Sequence, residues 1–378
     1  METKIQRVSI RDGKRLMIVS DIHAHGFLFM EALEKAGYSA EKDRLVIVGD
    51  MLEKGPDSLG SLRMVMNLRE KGEVYPLMGN VDWWRYHHLI EENEEAQRQI
   101  IQNSLDCANW WGNSILLEMA AEMGEPLNAD MDVQSFFHRI QDRYAKEIDF
   151  LATLPSILET EEMIFVHGGI PHERLDELEG TDQYPYLKRD DFMAEGLSFK
   201  KWVIVGHWPV ALYRVGIPDY RPLIDEMRHI ISLDGGCGVK GDGQVNLLIL
   251  PEGKVRNYQV ICTDKLPKIT ALEEQRDQGP GHLIQWGRHY VDVLERGEEI
   301  SLIRHEGHNM RVPTRHLFQM NDRQACNDIS DYVLPVTPGE EMSLILQCSL
   351  GAYVKKNGVN GWYYGKYMQK IDERNHDL

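Results

Sequence analysis

Basic residues are scarce in this chain: 42 Lys and Arg stand against 60 Asp and Glu, a formal net charge of −18 over 378 residues. That balance repels nucleic acid and anionic lipid, so a phosphate-bearing substrate has to be drawn in by local positive charge, from metal ions or from single Arg and Lys side chains. Cysteine is sparse too. Cys107, Cys237, Cys262, Cys326 and Cys348 are scattered, odd in number and never spaced C-x-x-C, which argues against a disulfide framework and a thiolate zinc site and leaves reduced thiols. No run of eighteen apolar residues occurs, and Met1-Glu2-Thr3-Lys4 lacks the basic and apolar sections of a signal peptide. The expectation is a cytoplasmic protein with neither membrane nor nucleic-acid partners, long enough for two or three domains.

What the chain does have is a set of short polar segments, each closing a hydrophobic run: Ser20-Asp21-Ile22-His23, Gly49-Asp50, Gly79-Asn80, Val166-His167-Gly168-Gly169 and Val205-Gly206-His207. Ligand-type residues placed where strands stop, on loops that converge, build a metal site rather than a solvated surface. Asp21 and His23 are two apart, so an extended backbone points both the same way. Oxygen and imidazole donors without sulfur suit Mn, Fe, Zn or Mg, and two such ions can activate a water and clamp phosphoryl oxygens. Taken singly, an Asp or His at a strand end is ordinarily a helix cap or a hydrogen-bonded core residue; five in series point to a dinuclear centre and a hydrolase.

The runs ending at Ser20, Val48 and Met78 alternate with helix-like spacing over Phe27–Gly37 and Ser58–Lys71, so the first 80 residues read β-α-β-α-β. Residues 83–150 are rich in Glu, Gln, Trp, Met and Ala and lack β-branched runs, which predicts an all-helical insertion covering the site. Strands resume at Met163–Val166, Trp202–Val205, Ile230–Leu233 and Val245–Leu250. The enzyme domain is expected over 1–262, a linker over 263–281 and a β-rich region over 282–378. That last region repeats itself: Tyr290-Val291 and Gly297–Ile303 recur as Tyr332-Val333 and Gly339–Ile345, offset by 42 without a gap. Asn357-Gly358 and Asn360-Gly361 read as hairpin turns.

The five segments, in order over roughly residues 15–250, resemble the calcineurin-like metallophosphoesterase superfamily, in particular the PPP-type phosphoprotein phosphatases and the symmetrical dinucleoside tetraphosphatases. Lys188-Arg189-Asp190-Asp191-Phe192 is similar to the family's Arg-Glu-Glu-Phe segment, and Leu233-Asp234-Gly235-Gly236-Cys237-Gly238 to its final Asp-x-Gly loop. The resemblance implies an α/β sandwich of two mixed sheets flanked by helices. It implies Asp21 and His23 on a first metal, Asp50 bridging, and Asn80, His167 and His207 on a second, with manganese the foremost candidate. Residues 282–378 resemble tandem SH3-like modules, whose aromatics around Tyr353–Tyr364 either plug the small barrels or dock a peptide partner.

Two departures from the family pattern matter. Glu53-Lys54-Gly55 stands where the family has Asp-Arg-Gly, and lysine neutralises phosphate without a bidentate grip. Val81 stands in place of the general-acid histidine after Gly79-Asn80, a group that contributes about 100- to 10,000-fold. Asp82, His87 and His88 are the nearby substitutes, and Arg189 the candidate fork for a phosphate oxygen. His25 is read as a loop side chain beside the phosphate and His172 as solvent-facing. The Trp83-Trp84 and Trp110-Trp111 doublets are read as packing first and as a nucleobase platform second. The expected substrate is a phosphomonoester of the protein phosphoserine or phosphothreonine type. A dinucleoside polyphosphate or other anhydride is the alternative, and a weakly active adaptor using the C-terminal modules a further one.

Overall fold

The computed structural model describes residues 1–10 and 12–369, with the side chains of 107–111 excepted. The chain divides into two compact units, one of Met1–Pro209 and Pro222–Thr263, the other of Val210–Arg221 and Asp264–Leu378.

The first unit is built on two mixed sheets. One orders its strands Gln259–Thr263, Val245–Leu250, Arg15–Val19, Asp43–Ile47, Glu73–Pro76, the last three being parallel. The other runs Ile5–Arg7, Ile157–Glu159, Met163–Val166, Trp202–Val205, Ile230–Ser232, Leu223–Asp225. Strict alternation sorts the side chains: Leu16 and Ile18 join Leu248, Leu250, Phe165 and Ile204 in one apolar layer, while Met17 and Val19 join Phe29 and Leu62 of the helices Gly26–Lys35 and Ser58–Lys71 in another. Strands buried on both faces read as unbroken hydrophobic runs, which is why these were visible in the sequence.

The segment read as helical holds the helices Asn80–Leu89, Glu94–Trp111, Ile115–Met123, Val133–Arg143 and Ala145–Thr153. Asn93, Ser114 and Asp132 accept N–H bonds as N-caps, and Gly112 and Gly124 end two of the helices in the left-handed conformation. Their apolar faces, Phe136, Phe137, Ile140 and Leu116 among them, belong to the same core as Met17 and Val19. The side chains of Trp110 and Trp111 lie outside the described residues.

Among the described residues the second unit is all-β apart from short 3-10 turns. The offset of 42 recurs strand for strand: Ile300–His305, His308–Pro313, Leu317–Met320 and Arg323–Cys326 correspond to Glu341–Cys348, Gly351–Lys356, Val359–Tyr363 and Tyr367–Gln369. Two expectations are corrected here. The segment 263–281 is not simply a linker, because Lys268–Ala271 pairs with both Glu341–Cys348 and Tyr367–Gln369 and buries Ile269 and Ala271 on alternate positions. Asn360-Gly361 is not a turn but the middle of a strand, with Asn360 buried, whereas Asn357 and Gly358 form the hairpin turn at φ 49° and 78°. Tyr353, Trp362 and Tyr363 are core residues, the Trp362 indole donating to the Ser330 carbonyl at 2.8 Å, and Tyr364 is left exposed.

Candidate metal centre

In the first unit Arg15–Val19 runs parallel to Asp43–Ile47, and Met163–Val166 runs parallel to Trp202–Val205, so within each sheet the ligand loops leave from the same edge. The carboxyl ends of parallel strands are where open α/β sheets collect ligands. The loops are strained: Asp21, His23, Asp50 and His207 have φ of 51°, 40°, 51° and 68°, a region non-glycine residues seldom adopt unless the surroundings impose it. Hydrogen bonds lace the first two loops together, with the N–H groups of Asp21, His23 and Ala24 donating to the carbonyls of Gly49, Asp50 and Met51 at 3.1, 3.0 and 2.9 Å. Two glycines permit the approach. A Cβ on Gly79 would lie 2.1 Å from the Asp50 nitrogen, and one on Gly206 would lie 2.3 Å from Asp21 Oδ2.

Two triads of donor atoms result, each within 4.8 Å, and they share one residue: Asp21, His23 and Asp50 form the first, Asp50, His167 and His207 the second. The two oxygens of Asp50 face different imidazoles. Oδ2 is 3.6 Å from His23 Nε2, and Oδ1 is 3.4 Å from His167 Nε2. Asn80, first residue of its helix, places Oδ1 3.1 Å from His167 Nε2. Nδ1 of His23 lies 3.1 Å from the Leu52 carbonyl and Nδ1 of His167 lies 2.7 Å from that of Val48. Carbonyl contacts of this kind fix the ring and aim the other nitrogen inward, the support metal-binding histidines ordinarily have. Asp21 accepts the His207 N–H at 3.0 Å.

The electrostatics of the cluster call for cations. Burial pushes the Asp21 carboxyl up to about 6, with Asp50 adding to the shift and His167 opposing it. For Asp50 burial acts upward as well, but His167, His23 and Lys54 outweigh it and hold the carboxyl well below its usual range. Burial alone would depress His167, yet Asp50 and Asp21 raise it to about 10. His23 falls to about 3 through burial and Lys54, and His207 to about 4 through burial and His167. Two lysine ammoniums already sit on imidazole nitrogens: Lys54 Nζ is 3.3 Å from His23 Nε2, and Lys188 Nζ is 3.2 Å from His207 Nε2. Borderline and hard divalent ions fit this set of nitrogen and oxygen donors.

Several expected residues are placed elsewhere. The fork of Arg189 closes on Glu195 with two bonds of 2.6 Å, and its guanidinium lies over Phe192. Lys188 and Asp190, one residue to either side, reach His207 instead. Asp82 is fully buried, its oxygens accepting the N–H groups of Met51, Leu52 and Gly79 at 3.0, 3.1 and 3.1 Å. These bonds brace the Asp50 loop, and burial and the nearby Asp50 raise the Asp82 carboxyl to about 7. Glu53 is buried against Arg85, which donates to it at 3.0 Å. His25 is buried with Nδ1 2.6 Å from the His23 carbonyl, His87 packs on Trp83, and His88 sits between Trp84 and Arg85. Trp83 packs against Tyr184, and His172 is partly exposed near Glu177. Sequence reasoning left Asp234 off the site, yet its buried Oδ2 has no hydrogen-bond partner and burial together with Asp21 raises its carboxyl well above the usual range. The signal for it was the Asp234-Gly235 loop.

Comparison with known proteins places this arrangement. Residues 14–231 match the family described as Calcineurin-like phosphoesterase. Serine/threonine-protein phosphatase 1 of Salmonella typhimurium is 35% identical over 60 residues, 16% of this chain and 28% of that protein. The symmetrical bis(5'-nucleosyl)-tetraphosphatase of Shewanella baltica is 22% identical over 261 residues, 58% of this chain and 89% of that one. Among solved structures, a serine/threonine phosphatase from Saccharomyces cerevisiae aligns over 74% of this chain and 87% of its own, at a TM-score of 0.43 and 11% identity.

Proposed function

Because the chain belongs to the calcineurin-like phosphoesterase family, we propose that it is a metal-dependent phosphoesterase whose centre takes two divalent ions, manganese foremost, between Asp21, His23, Asp50, Asn80, His167 and His207. The observation that carries this reading is the division of the Asp50 carboxylate, one oxygen toward His23 and the other toward His167. Bound there, two cations supply Lewis acidity for the phosphate oxygens and for the attacking water. The chain's own residues do the rest. Asp21, buried and joined to the His207 backbone, ties the first triad to the loop of the second. Lys54 and Lys188, whose ammoniums stand at the edge of the cluster, would neutralise phosphate oxygens as point charges.

The leaving group decides the substrate class. Val81 is buried, gives its backbone N–H to Asp50 Oδ1 at 2.8 Å and has no side-chain proton to offer, and Asp82 is occupied by three backbone donors. An alkoxide leaving without protonation is slow, whereas a phosphate or phenolate of low pKa departs unaided. A phosphoanhydride, as in the dinucleoside polyphosphates, or an aryl phosphate therefore ranks ahead of phosphoserine and phosphothreonine. The likeness to a symmetrical tetraphosphatase over 58% of the chain supports the anhydride. The test compares wild type with Val81→His on p-nitrophenyl phosphate and on an alkyl phosphate. We expect the histidine to raise the alkyl rate by about 100-fold or more and to leave the aryl rate nearly unchanged. An equal change on both substrates would refute the leaving-group argument.

A further inference from the structure

A second cluster of donors lies in the C-terminal unit. The hairpin joining Ile300–His305 to His308–Pro313 turns through Glu306 and Gly307, at φ 48° and 83°, with His305 and His308 in register. A two-residue turn of this hand pins the tip tightly. It brings His305 Nδ1 to 2.7 Å from Nε2 of His282, and the donor atoms of His282, His305 and Glu306 all lie within 4.8 Å of one another.

Each donor is held from behind. His305 is buried at the end of its strand. Glu306 is gripped by the Arg288 guanidinium through both of its oxygens. The His282 backbone N–H donates to Asp331 Oδ1 at 2.6 Å, while Asp331 Oδ2 takes His308 Nε2 at 2.7 Å and so seats the His308 ring against that of His282. This is the outer support that ligating histidines and carboxylates ordinarily have.

We propose that His282, His305 and Glu306 form a second metal site of the zinc class, separate from the dinuclear centre. Two imidazoles and a carboxylate are a donor set that zinc takes with water in the fourth position. At Zn–N distances of about 2.05 Å and a tetrahedral angle, the two nitrogens stand about 3.3 Å apart, so the pair has to open by only about 0.6 Å from its hydrogen-bonded spacing. Bound zinc fastens the hairpin tip to the chain leading into Leu283–Ile284.

The experiment uses the whole chain, equilibrated with Zn²⁺, freed of excess and counted by elemental analysis. His282→Gln and His305→Gln should each lose one zinc per chain relative to wild type while keeping manganese-supported turnover of an aryl phosphate, and Asp50→Asn should retain that zinc. Glu306→Gln, at an exposed turn where folding is not at stake, should weaken the affinity of the same equivalent by at least the roughly tenfold to 100-fold that loss of an outer supporting group produces. Zinc counts equal to wild type in both histidine variants, or an unchanged affinity in Glu306→Gln, would overturn the proposal and leave the pair as a hydrogen bond that closes the hairpin. Because the readout is a metal count, it stands or falls apart from the phosphoesterase activity.

Discussion

Backbone strain is distributed differently in the two units. In the first, seven of the eleven described non-glycine residues with positive φ lie in the ligand loops, Asp21, His23, Ala24, Asp50, Glu53, Lys54 and His207, while Asp191, His229, Glu252 and Asn257 lie outside them. In the second, Glu306 and Asn357 sit in two-residue hairpin turns, each followed by a glycine, and Asn321 and Asp322 occupy the turn between Leu317–Met320 and Arg323–Cys326. There the strain is ordinary turn geometry at the surface. In the loops it is buried, and it persists because Asp82, the interloop N–H bonds and the Glu53–Arg85 pair over-determine the conformation. Strain held by buried polar groups marks a site, whereas strain at an exposed tip marks a fold-back.

The largest break in that contrast should come from Asp50→Asn, which removes one of the two carboxylates of the first triad and the sole carboxylate of the second. Turnover should fall by about a thousandfold, about 4 kcal/mol of barrier, with little change in the melting of the second unit; steady-state kinetics beside calorimetry checks both. Next, Arg85→Met leaves Glu53 buried without its cation, and denaturant unfolding should show a loss of about 3 kcal/mol. A smaller effect concerns pH. His167, raised to about 10, holds a proton that a cation must displace, so manganese affinity should climb with pH, by about tenfold per unit for a single proton released between roughly pH 6.5 and 8.5. Calorimetric titration at three pH values reads the slope, and a flat profile would mean that His167 is not a ligand. The least effect belongs to the other side of the comparison: Asn357→Ala at the exposed turn should cost about 1 kcal/mol of stability and leave turnover untouched.

How much of this was legible in the sequence follows the same division. Most strands that lead into the candidate ligand loops are buried on both faces, so each reads as an unbroken apolar run, and the five side chains of the two triads stand at the ends of such runs. Lys268–Ala271 could not. It is four residues long, flanked by Pro267, and buries only every second side chain, so it reads as polar linker until its partners 70 and more residues away are known. Arg189 was assigned by chemical type, and it is its neighbour Lys188 that reaches His207 while Arg189 turns to Glu195. Asp82 illustrates the same limit: a carboxylate beside a ligand loop looks catalytic in sequence, and only the structure reveals the backbone N–H groups that surround it. Nothing in the spacing of His282, His305 and Glu306 resembles a known ligand motif, because a hairpin and a distant strand meet only in three dimensions.

The most direct test of the account is a crystal soaked in Mn²⁺ and an anomalous difference map around Asp50. Two peaks flanking its carboxylate are expected, one beside Asp21 and His23 and the other among Asn80, His167 and His207. A map with no peak at Asp50, or with a single ion that leaves either triad vacant, would contradict it.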